Sequence, residues 1–269
     1  MWDNHMHTEF SGDSEAKPID MINAAKAIGL EGLTFTDHLD YDYKDEPGLF
    51  DLDLDNYFDK QHKLAAAESS QSFTILTGME VGLQKSCIEK NKAATATGDY
   101  DFIIGSTHVV DGKDPYYDYF WEGHTETELF MRYYATILEN ISSFTDFDAL
   151  GHLDYAFRYA RTDSIKSDTY LPFRPLVDAI LEQLIKMDKA LEVNTGAFRK
   201  GMTEPNPCLD IISRYHELGG KLITIGADAH EPAHIALGFD KLPDMLLSCG
   251  FKEYAVYKKR IPYLYPLNL

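Results

Sequence analysis

The chain has 269 residues, carries 25 Lys+Arg against 44 Asp+Glu for a formal net charge of −19, and is 44% hydrophobic and 13% aromatic. It is too apolar for a disordered or fibrous chain and too acidic for a general nucleic-acid binder, whose phosphates it would repel. No run approaches the roughly 18 apolar residues of a membrane span, the first residues lack the basic and apolar regions of a signal peptide, and Cys87, Cys208 and Cys249 are scattered, so the expectation is a cytoplasmic protein with free thiols.

Apolar, β-branched runs alternate with helical patterns along the whole chain. A strand over 2–7 precedes a helix over 18–29, which opens on Lys17-Pro18 and closes on Ile28-Gly29. Strand 33–38 then leads to helix 56–71, strand 73–81 to helix 84–96, and strand 102–110 to helix 125–141. That last helix starts on a Thr125-x-x-Glu128 box and repeats Leu129, Met131, Tyr133, Ile137 and Ile141 at helical spacing. Strand 147–153 precedes helix 173–187, strand 190–194 precedes helix 206–219, and strand 221–227 precedes helix 233–249. The final stretch, 254–267, reads as an edge strand or extended tail because Pro262 and Pro266 interrupt it. Seven strand–helix units in strict alternation predict parallel strands joined by crossover helices, in one domain spanning 1–269. The length suits an α/β barrel with its site at the C-terminal ends of the strands. An open doubly wound sheet is the alternative, but no G-x-G-x-x-G follows the first strand.

Six of the ten histidines, His5, His7, His38, His108, His152 and His230, fall at or just past the C-terminal ends of predicted strands. His5 and His7 are two apart on a strand and so share a face, half of a tetrahedral metal site. Glu80 and Asp228 occupy other strand ends, Asp228-x-His230 repeats the spacing of two, and Asp37-His38, His152-x-Asp154 and Asp13 complete the cluster. One ion needs three or four such ligands; this many predicts two or three ions, with a carboxylate bridging a pair. His62 and His216 lie within helices as solvated residues, and His234 reads as a local cap. His124, after an aromatic loop, is a candidate substrate contact. The loop from Val109 to Tyr117 is either a pocket wall for a small cationic ligand or an ordinary surface loop. Arg158, Arg161 and Arg199 follow the fifth and sixth strands, where a guanidinium could grip phosphate in bidentate fashion.

His5-x-His7, Thr36-Asp37-His38, Gly78-x-Glu80, Ser106-Thr107-His108, Gly151-His152-x-Asp154 and Asp228-Ala229-His230 together resemble the polymerase-and-histidinol-phosphatase (PHP) superfamily. Two further runs, from His108 to Gly112 and from Asn194 to Lys200, look like its histidinol-phosphatase family. The resemblance implies a distorted (β/α)7 TIM-like barrel with two or three divalent ions (Zn, Mn or Fe). The first would be held by His5, His7, Glu80 and Asp228, the second by the bridging Glu80 with His108 and His152, and the third by Asp13, His38 and His230. Many relatives carry His where this chain has Asp13, a departure that keeps an oxygen donor.

The implied activity is hydrolysis of L-histidinol phosphate to L-histidinol and phosphate, a step of histidine biosynthesis, with a metal-activated hydroxide attacking phosphorus. Glu80, Asp228, His230 and Asp154 would be catalytic, the last two as candidate proton donors to the leaving alkoxide. Arg158, Arg161, Arg199, Tyr117 and His124 would bind substrate. Neither a nucleic acid nor a membrane is an expected partner. The competing readings are another PHP phosphoesterase (acting on a different monoester, phosphotyrosine or oligonucleotide ends), a non-catalytic PHP module, and an amidohydrolase-type barrel. The last would want a bridging Lys where this chain has Glu80.

Overall fold

The structure is a computed structural model that describes residues 1–162 and 168–267. Eight short strands form one parallel sheet: β1 (Trp2–Asp3), β2 (Gly32–Phe35), β3 (His38–Leu39), β4 (Thr74–Gly82), β5 (Phe102–Ser106), β6 (Ala149–Leu150), β7 (Ala190–Asn194) and β8 (Ile223–Gly226). Seven of them run in the order β1-β2-β4-β5-β6-β7-β8, and β3 pairs with the upper half of β4. Residues 33–38, expected as one strand, are split at Thr36–Asp37, yet both pieces hold the same register on β4: Phe35 opposes Thr77 and His38 opposes Glu80. The sheet curls until its ends meet. Past β1, the Asn4 amide donates to the Ile225 carbonyl (3.1 Å), the His7 amide to Ala229 (2.8 Å) and the Asp228 amide to His5 (2.8 Å). This seam completes a nearly closed seven-stranded α/β barrel.

Strands covered on both faces are mostly apolar, and Phe102-Ile103-Ile104 on β5 and Ile223 and Ile225 on β8 are buried accordingly. Helices pack around the barrel, at Pro18–Ala27, Leu54–Glu68, Ile88–Thr95, Glu126–Ser143, Arg174–Lys186, Leu209–Glu217 and Leu242–Ser248. The helix Glu126–Ser143 starts on the Thr125/Glu128 capping box and buries Leu129, Tyr133, Ile137 and Ile141 on one stripe, while Met131, expected with them, lies off that stripe and is exposed. Each such large apolar side chain contributes about 1.5–3 kcal/mol by leaving water. Among the described residues no helix is long and apolar enough to cross a membrane.

Three expectations change. β7 matches its predicted bounds and β4 its predicted length, but the other five strands are shorter than predicted or split, so most strand-end histidines lie in the loops that continue them. The helix expected over 233–249 is a 3-10 turn at Pro232–His234 and a separate helix at Leu242–Ser248, because Ala236 and Gly238 take positive φ (50° and 78°), which α-helix excludes. Residues 254–267 form a hairpin of β9 (Glu253–Lys258) and β10 (Ile261–Pro266). Its turn puts Lys259 and Arg260 at φ 51° and 64°, positions that usually need Asn or Gly. Tertiary bonds hold it: the Lys259 and Arg260 amides donate to Asp101, and the Arg260 guanidinium pairs with Asp146 and Asp148.

Candidate metal centre

The expected cluster assembles at the C-terminal end of the barrel, with ligand atoms converging on three points. His5 Nε2 lies 3.0 Å from His7 Nε2 and 3.1 Å from Glu80 Oε2, and His7 Nε2 lies 3.4 Å from both Glu80 Oε2 and Asp228 Oδ1. On the other side of the same carboxylate, Glu80 Oε1 lies 2.9 Å from His152 Nε2 and 3.3 Å from His108 Nε2, with 3.4 Å between those two nitrogens. At the mouth, Asp13 Oδ2 lies 3.0 Å from His230 Nε2 and 3.7 Å from His38 Nε2. Donors about 2.0–2.1 Å from a tetrahedral metal stand about 3.3 Å from one another, and the two inner sets match that spacing. The donors are of the right kind, mixed imidazole and carboxylate. Among the described residues, His38 Nδ1, His152 Nδ1 and Asp40 Oδ2 have no hydrogen-bond partner, although His38 Nδ1 stands 3.1 Å from Glu80 Oε2. The residues present therefore fit divalent ions. His5, His7 and Glu80 are fully buried, whereas His108, His152 and Asp228 border the cleft, and Asp13 and His230, which also line it, are more exposed.

Three residues that the sequence reading passed over orient these rings from behind. Asp40 Oδ1 accepts from His108 Nδ1 at 2.8 Å, and it can approach because Gly82 has no Cβ, which would stand 2.0 Å from that oxygen. His7 Nδ1 lies 3.1 Å from Ser11 Oγ, which in turn donates to Asp37 at 3.0 Å. Glu192, on β7, lies 2.5 Å from His5 Nδ1. A charged residue inside the apolar run Ala190-Leu191-Glu192-Val193 was the available signal, since such a carboxylate must be paired.

The arginines separate. The Arg158 side chain is only 5% exposed and is held at three points: Nε donates to Asn206 Oδ1 (2.6 Å), one terminal nitrogen to Asp228 Oδ2 (3.0 Å) and the other to Asn194 Oδ1 (2.7 Å). Arg199 rests on the carbonyls of Ala227 and Asp228 (3.1 and 2.6 Å). Both line a cleft of about 600 Å³ with Tyr116, Tyr117, Tyr155 and Tyr159, and with Asp114 and Glu46. Tyr117 donates to Glu46 and Tyr43 to Asp114. Lys200, the last residue of the Asn194–Lys200 run, also lines this cleft.

Three predicted site residues are not brought there. Arg161 is exposed and pairs with Asp118. His124 is exposed just before the Thr125 cap, clear of the cleft lining. Asp154 is completely buried, accepting from Asn206 Nδ2, Thr169 Oγ1 and the Cys208 amide. The shared-face argument fails for His152-x-Asp154 because the backbone there is not extended: Asp154 has ψ 29° and starts a 3-10 turn. Burial pushes its carboxyl up to about 6, but the group faces away from the cleft.

Charge within the cluster is set by its carboxylates. Burial lowers the His5 imidazole, but Glu192, Glu80 and Asp228 outweigh it and hold it well above the usual range. Burial also opposes Glu80 and Asp13 at His38, which they raise to about 9, and Asp40 and Glu80 at His108, which they likewise raise. His7 and His152 are lowered, chiefly by burial. Without metal, His5, His38 and His108 thus keep protons at neutral pH, and metal uptake must displace them. We expect Zn²⁺ titration at pH 7 to release protons, with apparent affinity rising from pH 6 to about 9. Calorimetry in two buffers of different ionisation enthalpy measures this, and zero proton release would contradict it.

Comparison with known proteins agrees with this geometry. The PHP domain family model matches residues 3–196. A histidinol-phosphatase of Lactococcus lactis subsp. lactis is 33% identical, the alignment covering 95% of this chain and 93% of the relative. A Clostridium acetobutylicum protein named "Probable histidinol-phosphatase" is 30% identical over 98% and 99% of the two chains. The crystal structure of histidinol phosphate phosphatase from Lactococcus lactis subsp. lactis, complexed with Zn, L-histidinol and phosphate, superposes with a TM-score of 0.88 at 29% identity, covering 97% of this chain and 98% of that one.

Proposed function

Since the chain belongs to the PHP domain family, we propose from its site and full-length relatives that it is a metal-dependent histidinol-phosphatase, acting in histidine biosynthesis. It hydrolyses L-histidinol phosphate to L-histidinol and phosphate. The observation that carries this reading is the placement of Glu80, whose two oxygens address two separate ligand sets beside a cleft lined by two arginines and five tyrosines.

His5, His7, Glu80 and Asp228 would hold one ion, Glu80, His108 and His152 a second, and Asp13, His38 and His230 a third, with zinc as the first candidate. Ions held there would supply Lewis acidity and a water acidic enough to be a nucleophile at neutral pH. Arg199 and Arg158, anchored by their hydrogen bonds, keep further N–H groups for phosphoryl oxygens and for the charge that grows there during displacement. Tyr116, Tyr117 and Tyr159, with the carboxylates of Asp114 and Glu46, offer aromatic faces and negative charge to the ammonium and imidazole of histidinol. His230, partly exposed at the mouth, can hand a proton to the leaving alkoxide when no ion occupies the outer set. Residues 1–269 act as one domain, and the three unpaired cysteines suit work in the cytoplasm. A net charge of −19 leaves nucleic acid and anionic membranes as poor partners.

Phosphate release by the Zn-reconstituted protein tests the reading. We expect kcat/KM for L-histidinol phosphate to exceed that of other monoesters by at least about 100-fold, and the activity to vanish in EDTA. Equal, weak turnover across the panel would reassign the substrate, and undiminished turnover in EDTA would remove the metals from the mechanism.

A further inference from the structure

β7 contributes no ligand to any of the three sets, yet it carries Glu192, whose carboxylate is 1% exposed at the heart of the barrel. A charge buried there costs several kcal/mol unless donors surround it, and the donors around this one belong to the site. Oε1 lies 2.5 Å from His5 Nδ1. Oε2 accepts from the His152 backbone amide at 2.8 Å and from Asn194 Nδ2 at 3.2 Å. His5 and His152 belong to different inner sets, one on each side of Glu80. The space is kept open from the neighbouring strand: a Cβ on Gly226 would stand 2.3 Å from His5 Cβ and 3.1 Å from Glu192 Oε1.

We propose that Glu192 is a positioning residue shared by both inner ligand sets. Its Oε1 holds a proton on His5 Nδ1, so that the Nε2 lone pair faces His7 and Glu80. Its Oε2 pins the backbone that delivers His152 at the end of β6. A histidine has two ring nitrogens, and the bond made by one decides which lone pair the other offers. Serine, threonine or an amide could accept one of these bonds, but only a carboxylate presents two acceptor oxygens in opposite directions. Gln is therefore a sharp test. With its oxygen toward His5, its NH₂ meets the His152 amide donor to donor. Turned round, the NH₂ donates to Nδ1, which shifts the ring proton to Nε2 and removes that lone pair from the cluster.

The proposal rests on the metal-centre reading, and the experiment separates the two. Metal-free wild-type protein and E192Q are titrated with Zn²⁺ by calorimetry, and the thermal melt of each metal-free protein is recorded. We expect the melts to be similar and both inner binding steps to weaken by roughly 10–100-fold in E192Q. Unchanged affinity, or weakening of one step alone, would overturn the shared role. Wild-type protein that binds no Zn²⁺ would instead sink the metal centre itself. A second readout needs no folded variant at position 192: in the ¹⁵N-histidine NMR spectrum of Zn-loaded wild type, the His5 ring (identified by its loss in H5Q) should carry its proton on Nδ1. A proton on Nε2 would overturn the proposal.

Discussion

Glu80→Gln is expected to lower kcat for L-histidinol phosphate by about 10³-fold or more while leaving the barrel folded. Among the described residues the side chain is the one group whose oxygens address both inner sets, Oε2 toward His5 and His7 and Oε1 toward His108 and His152. An amide keeps the shape but offers one neutral oxygen and a donor, so it cannot bridge two cations. Metal-supplied charge stabilisation is worth several kcal/mol, and each 1.4 kcal/mol is tenfold in rate. The backbone of β4 is untouched, with its amide still donating to Asp37 and its neighbours still paired. The loss also has a sign in the metal-free protein. Glu80 raises His5, His38 and His108, so its removal lets those rings shed protons at lower pH. Turnover, bound Zn²⁺ per chain and far-ultraviolet circular dichroism on one preparation decide the matter. Near-normal turnover would exclude a bridging carboxylate.

Arg158→Ala is the second large effect, and it falls on stability as well as rate. The guanidinium is buried and pairs with Asp228 while also tying Asn194 to Asn206. Removing one partner of a buried ion pair strands the other, at a cost of about 3–5 kcal/mol. For a chain of this size that is a fall in Tm of roughly 6–20 °C. The drop should be larger without metal than with it, because an ion on Asp228 would neutralise the stranded carboxylate. Lys at this position should recover little, since a single ammonium cannot reach three acceptors in a fixed fork. Melting curves of wild type, R158A and R158K, each with Zn²⁺ and with EDTA, check this. Equal drops in the two conditions would detach Arg158 from the Asp228 ligand set.

The fold and the inner cluster of donors were legible for a common reason. Parallel strands of a barrel deliver side chains to one rim, so histidines and carboxylates at successive strand ends must meet there. His5-x-His7, Glu80, His108, His152 and Asp228 needed only that rule. The misses came where chain direction changed. Asp154 follows His152 at strand spacing, but β6 ends at Leu150 and the chain has already turned. Arg161 and His124 sit in connections whose paths no local pattern specifies, and tertiary bonds alone hold the Lys259-Arg260 turn. Asp40 and Glu192 were overlooked for a different reason. Each lies beside or within an apolar run and never reaches the cleft, so its role shows only once the ring nitrogen behind which it stands has been located.

The seam between β1 and β8 gives the centre a temporal order. His108, His152 and Glu80 come from β4 and the loops after β5 and β6, consecutive in the wall, and can gather as soon as those strands pair. His5 and His7 are separated from Asp228 by more than 200 residues of chain, and the hydrogen bonds of the seam, among them those from the Asn4, His7, Ala227 and Asp228 amides, bring them together. Closing so long a loop is the entropically dearest step of the topology. The half of the centre built from β4 and the loops after β5 and β6 thus needs only neighbouring strands to pair, whereas the half that straddles the seam needs the barrel shut.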